Sequence, residues 1–242
     1  MKQIYAFEKI EDFVRFGPII EMLSKKLEQY QQVLEEKYAL STMPRGIVWT
    51  TEELATTVLS TVPIPAYTNK DIIYITPDLQ AWRSLFIKQL EGHDLPDILN
   101  FYKNYSKINL LTILAHELTH HSDLFIDDTR GGSIWFEEGM CSYLARKTLL
   151  NEKDFDEISN VENQLVEVFY DKYGNHSLDE FGSDSHKESL TSVMYDHWRS
   201  FLTVKFLVEI RAQGDVNAIF KRYHLWHNEG RTVPLTKYFE VD

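Results

Sequence analysis

The chain has 242 residues, of which 43% are hydrophobic, 13% aromatic and 26% charged; that much apolar surface offsets the entropy of ordering and excludes a disordered chain. Its 25 Lys+Arg against 37 Asp+Glu leave a formal net charge of −12, which repels phosphate backbones and anionic lipid, so neither nucleic acid nor a membrane is an expected partner. The single cysteine, Cys141, excludes an intramolecular disulfide and a zinc knuckle built on thiolates.

In chain order, MKQIYAFEKIEDF at the N-terminus has acidic residues where a signal peptide needs an unbroken apolar segment. No later stretch approaches the roughly 18 apolar residues that span a bilayer, and the expected compartment is the cytoplasm. Ile20, Leu23, Leu27, Tyr30 and Leu34 recur at three- and four-residue spacing and predict a helix over 17–40. Met43-Pro44-Arg45-Gly46 breaks it. A short strand is expected over 46–50, with a helix opening at Thr51-Glu52-Glu53. Pro63 and Pro65 mark an irregular passage, after which the β-branched and aromatic run 71–76 reads as a strand. Pro77-Asp78 opens a helix reaching about Leu90, and 92–96 is a loop. Beyond that the pattern is helical over 106–125, 133–150, 155–173, 189–212 and 216–226, with no internal repeat or long linker.

The expected fold class is α+β and helix-dominant: one domain with a small strand-containing N-terminal lobe, 1–105, and a helical C-terminal lobe, 106–242, carrying the chemistry. That chemistry centres on His116-Glu117-Leu118-Thr119-His120. On a helix, residues four apart lie one turn apart on the same face, so His116 and His120 can take two corners of a zinc tetrahedron. Glu117 sits beside them, placed to polarise a metal-bound water without being a ligand. Asn109, Thr112, His116, His120 and Asp123 share one face, and Ile108, Leu111, Leu114, Leu118 and Phe125 form an apolar stripe on another. The competing reading is a chance pentapeptide on a solvated helix.

The next helix begins Ser133-Ile134-Trp135-Phe136-Glu137-Glu138-Gly139-Met140, with Ser133 as N-cap. A carboxylate in its first turns would give three protein ligands and leave the fourth position open. Glu138 shares a face with Ile134, Cys141 and Ala145, and Gly139 permits a close helix approach. Glu137, about 100° round, projects toward Met140 and Leu144. Either glutamate is also explained by the helix dipole alone.

At these residues the sequence resembles the gluzincin zinc metallopeptidases: the thermolysin type in HELTH, and the M1 aminopeptidase-like clan in Trp135-Phe136-Glu137-Glu138-Gly139. The resemblance implies a thermolysin-like zincin catalytic domain, a bound Zn2+, a peptide or protein substrate, and Glu138 as third ligand. The segment joining His120 to Glu138 is one residue shorter than the commonest M1 spacing, a deletion placed in 127–132. Thr191-Ser192-Val193-Met194-Tyr195-Asp196 is similar to the segment carrying the family's catalytic tyrosine, which implies that Tyr195 donates to the oxyanion; neighbouring His197 is the alternative. The exopeptidase signature G-x-M-E-N is absent, and 71–76 corresponds to the edge strand along which such enzymes lay an extended peptide.

The expected activity is therefore hydrolysis of a peptide bond, with Glu117 taking a proton from the attacking water and delivering one to the leaving amine. Two rivals remain: a catalytically degenerate zincin fold serving as a binding or regulatory module, and a helical interaction protein with a coincidental motif. Asp123 is either an orienting partner of a ligand or a solvated side chain. His121 points away from the metal face. His93, His176, His186, His224 and His227 have no ligand spacing, and Cys141, Tyr223, Trp226 and Tyr238 read as packing residues.

Overall fold

The computed structural model describes residues 1–60, 63–90, 92–126, 132–182 and 189–241. These residues form a helix-dominant α+β structure with a four-stranded sheet, as the sequence pattern predicts. They divide into two compact units, Met1–Asp123 and Leu124–Asp242. The division falls 18 residues later than the expected lobe boundary (123 against 105), so the helix bearing His116 belongs with the sheet rather than with the helical lobe.

The first unit runs β1 (Lys2–Ala6), α1 (Ile10–Lys37), β2 (Gly46–Thr50), α2 (Glu52–Thr57), β3 (Ala66–Asn69), β4 (Ile72–Ile75), α3 (Leu79–Lys88), α4 (Pro96–Lys103) and α5 (Lys107–Thr119). The strand order is β1-β2-β4-β3, with β1, β2 and β4 parallel and β3 antiparallel to β4. Strand β2 is buried along its whole length, as a central parallel strand flanked on both sides should be. Strand β1 lies at an edge, its first four side chains exposed, so no burial pattern marks it in the sequence. Strand β4, expected as the edge, lies inside the sheet; the edge on that side is β3, which follows the two prolines of the irregular passage.

Helix α1 buries the predicted stripe Ile20, Leu23, Leu27, Tyr30 and Leu34. It starts seven residues earlier than that stripe suggests, because Ile10, Phe13 and Val14 of its first turns are exposed. Helices α2 and α3 begin where predicted, with Thr51 accepting from the Leu54 amide (3.3 Å) and Asp78 from the Gln80 amide (2.8 Å). Helix α4, with Pro96 in its first turn, was not expected. Helix α5 packs on α1 and on β3 and β4, burying Leu110, Leu111, Leu114, Ala115 and Leu118.

The second unit holds α6 (Ile134–Leu149), α7 (Glu152–Tyr173), a 3-10 turn (Leu178–Glu180), α8 (Leu190–Phe206), a π-helical turn (Leu207–Arg211), α9 (Val216–Asn228) and α10 (Leu235–Phe239). Helix α8 is the hub, packing on both α6 and α7. A Cβ at Gly139 would lie 2.3 Å from the Ser200 carbonyl oxygen. The close approach that Gly139 permits is therefore between α6 and α8. Tyr223 (4.5 Å between centroids) and Phe239 (5.7 Å) stack on Phe136, and Trp135 donates to Asp179. Tyr223 and Trp226 are buried, Tyr238 is half-buried under Arg222, and Cys141 is fully buried, all in the packing roles assigned to them. Ser133 stands at the N-cap of α6 but caps nothing; its side chain bonds Tyr223 instead. Among the described residues no helix is long and apolar enough to cross a membrane.

Candidate functional site

His116 and Glu117 lie in the last turn of α5, and His120 is the residue on which that helix ends. The helix stops before Phe125 although no Gly or Pro follows it. The chain is drawn back onto the C-terminal end of α1: Ser122 donates to the Tyr38 carbonyl, and the Asp123 amide donates to the Ala39 carbonyl (3.1 Å). Asp123 also accepts from Ser41. Its carboxylate is thus used to tie down the chain after α5, which leaves the proposed orienting role without support.

The two imidazoles meet as i,i+4 geometry requires. Their Nε2 atoms are 3.1 Å apart, with the rings edge to face at 4.8 Å between centroids. Two nitrogens each about 2.0–2.1 Å from a tetrahedral zinc would be about 3.3 Å apart, so this pair is spaced for such an ion to within a few tenths of an ångström. At this distance the two nitrogens are joined either by an N–H···N hydrogen bond, with one ring as donor, or by a cation between them. The donor set and its spacing therefore fit zinc.

Glu117 is only 8% exposed, and a carboxylate so buried needs a partner. It has one in Thr68 of β3, whose Oγ1 donates to Glu117 Oε2 at 2.8 Å and lies 3.3 Å from the Glu117 carbonyl oxygen. The last turn of α5 is further fixed by Thr119, which donates to the Ala115 carbonyl (2.7 Å) and shares a hydrogen bond with Tyr30 of α1 (2.7 Å). His121 is not among the residues whose ligand atoms cluster with those of His116 and His120. Its Nε2 is buried without a hydrogen-bond partner among the described residues, and burial, then the neighbouring His120, pushes its pKa down toward the neutral ring.

In the second unit, Glu138 lies in the first turns of α6 and is half-buried. Its Oε2 is 3.4 Å from Nδ1 of His197 on α8, and the His197 ring packs edge-on against Phe181. Glu137, the alternative ligand, is half-buried and is among the charges that act on Tyr223. Tyr195 and His197 are two positions apart on α8 and so about 200° apart around it. Tyr195 turns its ring to Tyr173 of α7 (5.9 Å) with Arg199 over it (5.5 Å), and burial pushes its pKa up. The structure thus brings His197, not Tyr195, to Glu138. Beside Tyr195, the fully buried Asp196 bonds His176 at 2.8 Å, a partnership between residues 20 apart that spacing did not suggest. His224 is spent on the Leu124 carbonyl (2.7 Å). His186 and all but Gly132 of the segment 127–132, where the shortened connection is expected, lie outside the described residues.

Thr68 is the residue that sequence reasoning missed. It is 49 positions from Glu117, and one threonine in a four-residue strand carries no local signal of an acidic partner. Compared with protein-family models, with curated proteins and with solved structures, the chain finds no match in any of the three.

Proposed function

We propose that this protein is a zinc-dependent peptidase, a thermolysin-like zincin in which His116, His120 and Glu138 hold the metal and Glu117 is the general base. The observation that carries the reading is on α5: two imidazole nitrogens 3.1 Å apart, with a buried carboxylate between them in sequence that a strand hydroxyl holds in place. Glu138 supplies the third donor type, so that two nitrogens and a carboxylate oxygen make up the set. Three protein ligands suit a catalytic zinc better than a structural one, which is closed by four.

When bound, zinc would acidify a coordinated water and polarise the scissile carbonyl. Glu117 takes the proton of that attacking water and passes one to the leaving amine. Its burial keeps competing bulk water from the carboxylate, and the Thr68 hydroxyl orients it. His197, beside Glu138, is the better candidate than Tyr195 for a donor to developing negative charge. The formal charge of −12 favours cationic over acidic peptides in the encounter.

Elemental mass spectrometry, on protein purified without a metal-affinity column, should give about one zinc per chain, lost in the His116→Ala/His120→Ala variant. With zinc retained, Glu117→Gln should lower turnover of a dye-quenched casein by more than about 100-fold. Absence of zinc after reconstitution would defeat the reading. Zinc without hydrolysis would favour a binding module on the same scaffold.

A further inference from the structure

The register of the β3–β4 hairpin sets which backbone groups of β3 face outward. The Thr76 amide donates to the Pro65 carbonyl, which makes that pair a hydrogen-bonded one. Pairs alternate along an antiparallel ladder, so Tyr67↔Tyr74 and Asn69↔Ile72 are also hydrogen-bonded, and Ala66↔Ile75 and Thr68↔Ile73 are not. Ala66 and Thr68 therefore direct their amide and carbonyl groups to the open side of β3, the last strand in the sheet order. One residue, Thr68, thus presents its backbone to the sheet edge and its hydroxyl to the buried carboxylate of α5.

We infer that Thr68 is a positioning residue for Glu117, which couples occupation of the sheet edge to the orientation of the base. The inference rests on the peptidase reading for what the base does. The Thr68 hydroxyl has one proton, and the 2.8 Å contact commits it to Oε2. Oε1 is left as the oxygen that accepts the proton of the attacking water and returns it to the leaving amine. Thr68 transfers no proton. An extended peptide pairing with β3 would form its ladder hydrogen bonds to the Thr68 amide and carbonyl. That pairing would hold the strand, and with it the hydroxyl, while Glu117 works.

The two variants that test this are Thr68→Val, which keeps the β-branched shape and removes the hydroxyl, and Thr68→Ser, which keeps the hydroxyl. In the zinc-loaded full chain, Thr68→Val should lower kcat on dye-quenched casein roughly 10- to 100-fold. Its KM should change by less than about twofold and its zinc affinity should not change, because the interaction acts on the base and not on a ligand. Thr68→Ser should recover most of the loss, whereas a role in strand stability alone would favour Val over Ser. A Thr68→Val kcat within about twofold of the parent overturns the proposal.

A second readout needs no turnover. The infrared difference between the parent and Glu117→Gln isolates the Glu117 carboxylate band, which Thr68→Val should shift and Thr68→Ser should not. An unmoved band overturns the positioning role even in an inactive protein. A shifted band in a zinc-loaded chain that hydrolyses nothing supports the hold of Thr68 on Glu117 and counts against the peptidase reading alone.

Discussion

Helix α5, which carries His116 and Glu117, and helix α6, which carries Glu138, are held by different forces. The end of α5 is fixed by directional bonds: Thr68 to Glu117, Tyr30 to Thr119, and the Ser122 and Asp123 links to the end of α1. The start of α6 adds shape to its bonds with Asp179 and His197, through a glycine against the backbone of α8 and aromatic rings stacked on Phe136. Farther along, α6 is tied to α7 by a buried bidentate pair, Arg146 to Glu162 at 2.8 Å on each arm. A hydrogen bond can be removed singly at modest cost, while a steric contact or a buried charge fails all at once. The two helices should accordingly break in different ways.

The largest effect is expected at the buried pair. Burial pushes the Glu162 carboxyl up against the pull of Arg146, and Arg146→Met would leave that carboxyl without its cation. The loss should be about 3–5 kcal/mol in urea unfolding; a loss under about 1 kcal/mol would show that α6 is held by packing alone. Removal of metal comes next. Chelation of the zinc-loaded chain should lower its unfolding free energy by about 2.7 kcal/mol, if free zinc stood 100-fold above Kd. The His116→Ala/His120→Ala variant should not respond, and an equal response there would place the metal elsewhere. Gly139→Ala should cost about 1–3 kcal/mol, because the added methyl meets the Ser200 carbonyl and the helices must part. Zinc affinity should fall with it, since Glu138 is the adjacent residue. The smallest effect is expected at Tyr30→Phe, about 1 kcal/mol, with the isosteric ring retaining the packing. Were it to exceed Gly139→Ala, the contrast between bonded α5 and wedged α6 would not hold.

Much of this architecture can be read from the sequence where burial has a period. The stripe on α1, strand β2 and the starts of α2 and α3 all follow from apolar spacing and capping residues. What escapes has no local pattern. Strand β1 exposes nearly all its side chains, β3 has four residues, and α10 has five. At the site, i,i+4 spacing was enough to bring His116 to His120. It could not give the partners supplied by other elements: Thr68 to Glu117, His197 to Glu138, or His176 to Asp196. Tyr195 illustrates the limit, because a two-residue shift along α8 decides whether a ring faces α6 or α7, and the local sequence is equally compatible with both.

The two-residue connection between β3 and β4 has a consequence for how the chain assembles. It is the sheet's one local pairing, closed by Lys70 in a left-handed conformation (φ 56°), and hairpins form in about 1–10 μs. The parallel partners of β2 are joined to it only through long crossovers, which close more slowly. A slip of one residue in the hairpin would reverse the faces of β3 and put Tyr67 where Thr68 stands. The register set at this lysine turn thus determines which side chain of β3 meets Glu117.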